Sequence, residues 1–433
     1  MSPLEIGYGM IAGLFVLLVI GVPIGLSLIA IGAAGLFAIR GIRGAPFLLE
    51  TVPYASTASL ALIVIPLFVF IGHLAYSAGL SQKAYRAAKT WVGHIAGGLP
   101  IATVFACAGF ATVCGSSVAT AATVARIAVP EMLKAGFNQK ISGGCVSAAG
   151  ALGILIPPSG ILVIYSIATN VSIADLFIGA IAPGILTAVV YAVGIHLIVR
   201  RDPELVARTR LPPAPWPARF KDMFNAWEML SLFLVIIGGI YLGLATATES
   251  AALGAALALG IAVARGGLRD GTVRAGLIAS ASSTASIFLL IVGSALFGVA
   301  LASTQIPTLA ASWVAAQGLP PTLLLLLLLV PYLFLGCFID GISMIFLTMP
   351  VVFPVIQTAG INPVLFGIIV TKLVEIGAIT PPVGMNVFVV SGAVPGLRMT
   401  EVFRGAVPFI IMEILVIGLL IAFPQIVTFP LAR

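Results

Sequence analysis

The sequence predicts an all-helical protein that crosses a lipid bilayer many times and is built from two related halves. Three observations predict this class: a composition too apolar for a wetted surface, a succession of apolar runs, and a set of glycine and proline motifs that occurs twice. Of the 433 residues, 61% are hydrophobic and 8% are charged, whereas a soluble domain carries about 25% charged residues. Mean hydropathy is +1.21. Soluble domains also seldom exceed about 250–300 residues around one core. A bilayer lifts both limits, because the outer surface can then be apolar.

A spanning helix needs about 20 apolar residues. The first run, Tyr8–Ile39, is long enough for one helix bent at Pro23. Before it, Met1–Glu5 holds no Lys or Arg, so the basic start of a secretory signal is missing. Further runs cover Leu60–Ala78, Leu99–Val113, Ser117–Leu133, Ile141–Ile156, Ile161–Ala168 and Leu176–Val199. They resume at Leu230–Ala245, Ala251–Ala264, Leu277–Ala302, Thr322–Phe338, Ile342–Ile356, Val364–Ile379, Met385–Val394 and Val402–Thr428. Several are too short to cross alone. Short, interrupted runs at matching places in two halves are the mark of a transporter's binding site.

The polar stretch Arg200–Glu228 divides the chain near its middle. It carries Arg200, Arg201, Arg208, Arg210, Arg219 and Lys221 and a Pro-rich patch at Pro212, Pro213, Pro215 and Pro217. The positive-inside rule makes it cytoplasmic. The net charge of +7 is thereby explained by orientation, and no interleaving of basic and aromatic residues suggests a nucleic-acid surface.

In one common register the halves match. Pro130 aligns with Pro354, Gly136 with Gly360, Asn138 with Asn362, Gly143 with Gly367 and Gly153 with Gly377. Pro157-Pro158-x-Gly160 then falls on Pro381-Pro382-x-Gly384. With a two-residue adjustment Gly179 meets Gly405. The link Lys134–Lys140 is basic and its partner Thr358–Val364 is uncharged; Asn170–Asp175 lacks basic residues and its partner region carries Arg398 and Arg404. Equivalent loops therefore prefer opposite sides of the membrane, as in an inverted repeat. The predicted organisation is repeat one over 1–199, a cytoplasmic linker over 200–228, and repeat two over 229–433. Hairpins are expected near 99–134 and 320–357, and broken helices near 141–169 and 363–394.

Each half contains two irregularities that carry chemistry. The first is a polar tip between short apolar helices: Cys114-Gly115-Ser116-Ser117, and Phe338-Ile339-Asp340-Gly341 with Ser343 beyond it. Each reads as a re-entrant hairpin turning near the midplane. A turn at that depth exposes backbone groups that lipid cannot satisfy, so it must face protein, water or ligand. The second is a helix broken at Gly153–Gly160 and again at Gly377–Gly384, where proline removes a donor and frees carbonyl oxygens. Free carbonyls, hydroxyls and the Asp340 carboxylate suit a hard cation such as sodium, and opposed helix N-termini suit an anion. A carboxylate in an apolar run is costly unless it works.

Other ionisable groups have structural readings. Lys372 and Glu375 fit an i,i+3 ion pair. Arg126 either meets a substrate carboxylate, or pairs with Glu131, or snorkels to the cytoplasm. Glu249 sits where it would cap a helix. Lys83, Arg86 and Lys89 form a basic face on Gln82–His94, predicted as an amphipathic surface helix. Cys107, Cys114, Cys145 and Cys337 form no metal or redox motif and read as small core residues. No H-E-x-x-H occurs and no His lies near Ser116 or Ser117, which argues against an intramembrane enzyme.

Taken together, Gly115-Ser116-Ser117-Val118-Ala119-Thr120-Ala121, Gly153-Ile154-Leu155-Ile156-Pro157-Pro158-Ser159, Glu375–Gly384 and Thr246–Ser250 resemble the large membrane subunit of tripartite ATP-independent periplasmic (TRAP) transporters, over nearly the whole chain. The resemblance implies an elevator-type carrier, with a transport domain moving against a scaffold in the inner membrane. It implies import of carboxylates such as C4-dicarboxylates or sugar acids, with sodium as the coupling ion and no cofactor. It also implies two partners, a small four-helix membrane subunit and a periplasmic substrate-binding protein. Motif by motif, one sodium site would use Gly115, Ser116, Ser117, Gly153 and Ile156, and the other Asp340, Gly341, Gly377 and Thr380. Substrate would lie near Ser159 and Asn386, with Arg126 a further candidate. Arg126 and Lys372 depart from the family's usual small, apolar or neutral residues. The alternative reading is a stand-alone ion-coupled carboxylate permease that needs no binding protein.

Overall fold

Lipid offers the backbone no hydrogen-bond partners, so apolar runs satisfy their own amides as helices. The computed structural model describes residues 2–431, and it is helical throughout, with no strand among those residues. Met1 and the last two residues of the second half, 432–433, lie outside the described residues, as do the side chains of Ala61 and Arg208. Six helices are long and apolar enough to cross a membrane, or up to nine when each bent pair is taken as one span.

The N-terminal run is two helices, which corrects the single bent span expected over Tyr8–Ile39. Helix α1 (Pro3–Val19) begins in a capping box between Ser2 and Glu5. It stops before Gly21, whose φ of 85° is left-handed, and Pro23, which caps α2 (Ile24–Thr57). The chain reverses there instead of bending: Gly35 packs on Met10 and Gly13 on Ile31, so α1 and α2 run antiparallel. After α3 (Val64–Ser77) the chain turns by 66° into α4 (Leu80–Val92), the expected amphipathic helix.

The first hairpin is α5 (Gly98–Cys114) and α6 (Ser117–Lys134). The first broken helix is α7 (Gln139–Leu155) and α8 (Gly160–Thr169), bent by 41°. Helix α9 (Ile173–Arg200) closes this half. The expected bare linker contains two short helices, α10 (Pro203–Thr209) and α11 (Trp216–Phe224), each begun by a proline in its first two positions. A third, α12 (Trp227–Phe233), starts before its end and passes through a π turn at Leu234–Gly238 into α13 (Gly239–Tyr241).

The second half starts with α14 (Ala247–Ala264), where Thr246 is the cap and Glu249 returns the bond to the Thr246 amide, and α15 (Thr272–Ser303). A helix absent from the expected runs follows, α16 (Ile306–Ala316). Then come α17 (Pro321–Gly336), α18 (Gly341–Thr358), α19 (Pro363–Ile379), α20 (Met385–Ala393), α21 (Met399–Ala422) and α22 (Gln425–Thr428). The second hairpin is splayed. Helix α17 packs mainly on α19, while α18 packs on α16, α15 and α8. Helices α2, α15, α3 and α14 pack in succession as a separate layer, with α1 lying on α2.

The two halves exchange helices. The second arm of each broken helix packs on the second arm of the other half's hairpin, α8 on α18 and α20 on α6. The glycine contacts repeat the exchange. Gly179 on α9 lies against Val364 and Ile368 of α19, and Gly405 on α21 lies against Lys140 and Gly144 of α7. In the sequence register Val364 and Ile368 are the counterparts of Lys140 and Gly144. The repeat is therefore a two-fold arrangement in space as well as a pattern of residues. The two basic loop segments come together. The Lys134–Lys140 and Arg398–Arg404 segments touch, through the Gln139 side chain to the Gly396 carbonyl at 3.1 Å and Lys140 to Glu401 at 3.9 Å. The uncharged Thr358–Val364 segment meets the end of the first broken helix, where Tyr165 on α8 donates to the Pro363 carbonyl at 2.8 Å.

Candidate functional site

The first tip is made by a change of backbone hand. Gly115 ends α5 at φ 61°, and Ser116 is extended and caps α6 by accepting from the Ala119 amide at 3.4 Å. The Gly115 carbonyl accepts from the Gly160 amide at 3.4 Å, joining the tip to the first helix break. Gly153 makes this fit possible, since a Cβ there would stand 2.8 Å from the Ser116 carbonyl oxygen. The second tip is held similarly. Asp340 caps α18, its Oδ1 accepting from the Ile342 and Ser343 amides at 3.1 Å each. Gly377, the counterpart of Gly153, approaches the backbone of Gly336, with only 2.2 Å between a built Cβ and the Gly336 oxygen. Both breaks contain a cis proline pair, Pro157-Pro158 and Pro381-Pro382.

The two tips face one cavity of about 600 Å³. Its lining includes Gly115, Ser116 and Ser117 from the first tip and Phe338–Ile342 from the second. It also includes Gly377 and Ala378 from α19, and Phe68, Gly72, His73 and Tyr76 from α3. The first residues of four helices reach it: Ser117 of α6, Gly160 of α8, Gly341 of α18 and Met385 of α20. Each helix start carries about half a positive charge, and amides beyond those its cap takes up remain for a ligand. The cavity therefore joins four helix starts to one carboxylate, Asp340, in walls that are mostly apolar.

The sequence-predicted residues divide into two sets. Gly115, Ser116, Ser117, Asp340, Gly341 and Gly377 line the cavity. Gly153, Ile156, Ser159, Thr380, Asn386 and Arg126 are not among its lining residues. Ser159 is fully buried, caps α8 and donates to the Ile154 carbonyl. Thr380 donates to the Ile376 carbonyl at 2.6 Å. Asn386 is fully buried, donates to the Ser147 carbonyl at 3.1 Å, and leaves Oδ1 unpartnered. Arg126 reaches the cavity rim indirectly, through the Tyr76 hydroxyl at 3.4 Å. It does not pair with Glu131, because Lys89 takes that carboxylate.

The expected Lys372–Glu375 pair is present, within a larger group. The Lys372 ammonium also contacts Glu413 on α21 and donates to Thr187 on α9 at 3.0 Å, and the Tyr191 hydroxyl donates to Glu413. All three charged residues are fully buried. Sequence reasoning missed Glu413. The signal was available, since a lone acid in the apolar run of α21 should have been flagged as costly without a partner. His73 also lines the cavity, and no motif in the sequence singles it out.

Paired broken helices and apolar spans around a central cavity define a polytopic membrane permease. Residues 11–426 match the family described as tripartite ATP-independent periplasmic transporter, DctM component. The chain belongs to that family, and so to the TRAP large permeases. It is 38% identical to the C4-dicarboxylate TRAP transporter large permease protein DctM of Pseudomonas aeruginosa over 352 residues, 81% of either chain. It is 33% identical to the sialic acid TRAP transporter large permease protein SiaM of Vibrio cholerae over 421 residues, 96% of either chain. It is 32% identical to the ectoine TRAP transporter large permease protein TeaC of Halomonas elongata over 424 residues, 97% of either chain. Among solved structures, the YdaH transporter of Alcanivorax borkumensis shares the fold, with a TM-score of 0.60 at 16% identity and 88% of both chains covered.

Proposed function

We propose that this chain is the membrane permease of a sodium-coupled importer of carboxylates in the bacterial inner membrane. A periplasmic binding protein delivers the substrate and a small four-helix subunit joins the scaffold. The observation that carries this reading is the convergence of both tips and four helix starts on one cavity. Amide-rich helix starts attract a carboxylate. Exposed tip carbonyls and Asp340 supply the oxygen ligands that a hard cation needs. Sodium would sit at the two tips, with Gly153, Ile156 and Thr380 shaping the backbone behind them. Substrate would lie between, with Ser159 and Asn386 setting the geometry of the α8 and α20 starts. Helices α5–α9 and α17–α21 form the moving body of an elevator, in inverted orientation, against the layer of α2, α3, α14 and α15. The family's range, which extends from a C4-dicarboxylate to sialic acid and ectoine in the relatives above, supports a carboxylate and leaves its body open.

The test is reconstitution in liposomes with the small subunit, the binding protein and a labelled carboxylate that the binding protein holds. Uptake should require both an inward sodium gradient and the binding protein. Uptake with sodium alone would indicate a stand-alone permease, and uptake indifferent to sodium would overturn the coupling.

A further inference from the structure

A second concavity lies away from the cavity between the tips. Helix α4 and the α11–α12 segment enclose an apolar groove of about 410 Å³, lined by Ala87, Ala88 and Trp91 on one wall and by Phe105, Met223 and Leu230 among others. Its rim is aromatic. Trp91 meets Trp216 and Phe220 edge-on, with ring centroids 6.1 and 6.0 Å apart. The Arg219 guanidinium lies over Trp216 at 5.0 Å and over Trp91 at 6.0 Å. Phe220, Phe224 and Trp227 beside it are exposed. An apolar trough with a tryptophan rim, beside a basic segment, matches the headgroup level of a bilayer.

The charges around the groove do not cancel. Asp222 is bound by Arg86 at 3.0 Å, Glu228 by Lys83 at 2.7 Å and by Arg265, and Glu131 by Lys89. Each nearby acid is thus held by a cation from α4 or from the end of α14. Arg219 and Lys221 are left without a carboxylate partner among the described residues, and Arg219 makes only the bond from Nε to the Ala214 carbonyl at 3.0 Å. A guanidinium seated against an aromatic rim keeps its remaining donors for a planar or tetrahedral oxyanion.

We propose that this groove holds one acyl chain of an anionic phospholipid, with the lipid phosphate at Arg219. The lipid would brace α4, which connects α3 to the first hairpin, against α11 and α12. The test is thermal unfolding of the purified full chain in detergent with phosphatidylglycerol or phosphatidylcholine at equal molar ratio. Phosphatidylglycerol should raise the melting temperature more than phosphatidylcholine does. The substitution Arg219→Gln should remove that excess and leave the phosphatidylcholine response. Ala88→Phe, which fills the groove, should remove the excess and the phosphatidylglycerol retained in native mass spectrometry. Equal responses to both lipids in the unaltered protein, or an excess surviving both changes, would overturn the proposal. Should Ala88→Phe fail to fold, Ala87→Cys should be shielded from maleimide by phosphatidylglycerol, and shielded less with Arg219→Gln. Shielding by the small subunit and not by the lipid would assign the groove to a protein helix instead.

Discussion

Asp340 combines two tasks in one side chain. As the cap of α18 it satisfies two amides through one oxygen, and as a carboxylate it faces the cavity between the tips. Substitution separates these tasks. Asparagine caps as well as aspartate, so Asp340→Asn should leave the melting temperature nearly unchanged. The sodium concentration for half-maximal uptake should rise roughly tenfold, a difference of about 1.4 kcal/mol. A matching loss of folded protein would reduce Asp340 to a structural cap. Gly153 and Gly377 are the second residue-scale test. A methyl group at either meets backbone oxygen at 2.8 and 2.2 Å, and overpacking of this kind costs about 1–3 kcal/mol. Gly260→Ala, with nothing within 4 Å in the middle of α14, should stabilise by about 0.5–1 kcal/mol. Melting curves of the three variants check the contrast.

At the scale of elements, α7, α9, α19 and α21 form one body, and Lys372 is its buried pin. Removing one partner of a buried pair leaves an uncompensated charge and costs about 3–5 kcal/mol. Lys372→Met strands both Glu375 and Glu413, so it should sharply lower the yield of monodisperse protein and the melting temperature. Lys372→Met combined with Glu375→Gln and Glu413→Gln should recover most of the loss. The tips, the breaks and the Lys372–Glu375 pair were legible because glycine, proline and charge stand out in an apolar chain. The α1–α2 reversal was not legible. Gly21 and Pro23 signal an interruption, but only the Met10–Gly35 and Gly13–Ile31 packing distinguishes a reversal from a bend. Helix α16 was missed because it is short and directly follows α15, and the splay of α17 from α18 depends on α16 being there to receive α18. Membership of the cavity was partly hidden for a similar reason. Ser159 and Thr380 occupy the right motif positions, but their hydroxyls bond to backbone carbonyls of their own chain segment.

At the scale of the whole molecule, the proline-rich stretch between α10 and α11 is the natural seam, and little of the packing between halves depends on it. Cutting the chain there, at 212–215, and co-expressing the two pieces should yield an associated pair that co-purifies and transports. Either piece alone should aggregate, because each lacks the surface its glycines were shaped to meet. Co-purification by a tag on one piece measures this, and independent solubility of one piece would count against it.

The Gly144–Gly405 contact has a consequence for how the protein comes into being. Helix α7 leaves the ribosome more than 200 residues before the element that covers its glycine flank, α21. A nascent copy must therefore wait in the membrane with that flank bare while every helix between α7 and α21 is still being translated. Truncation just before α21 should be as damaging as loss of a hairpin, and the insertion machinery has to shelter the unfinished first half until its late counterpart arrives.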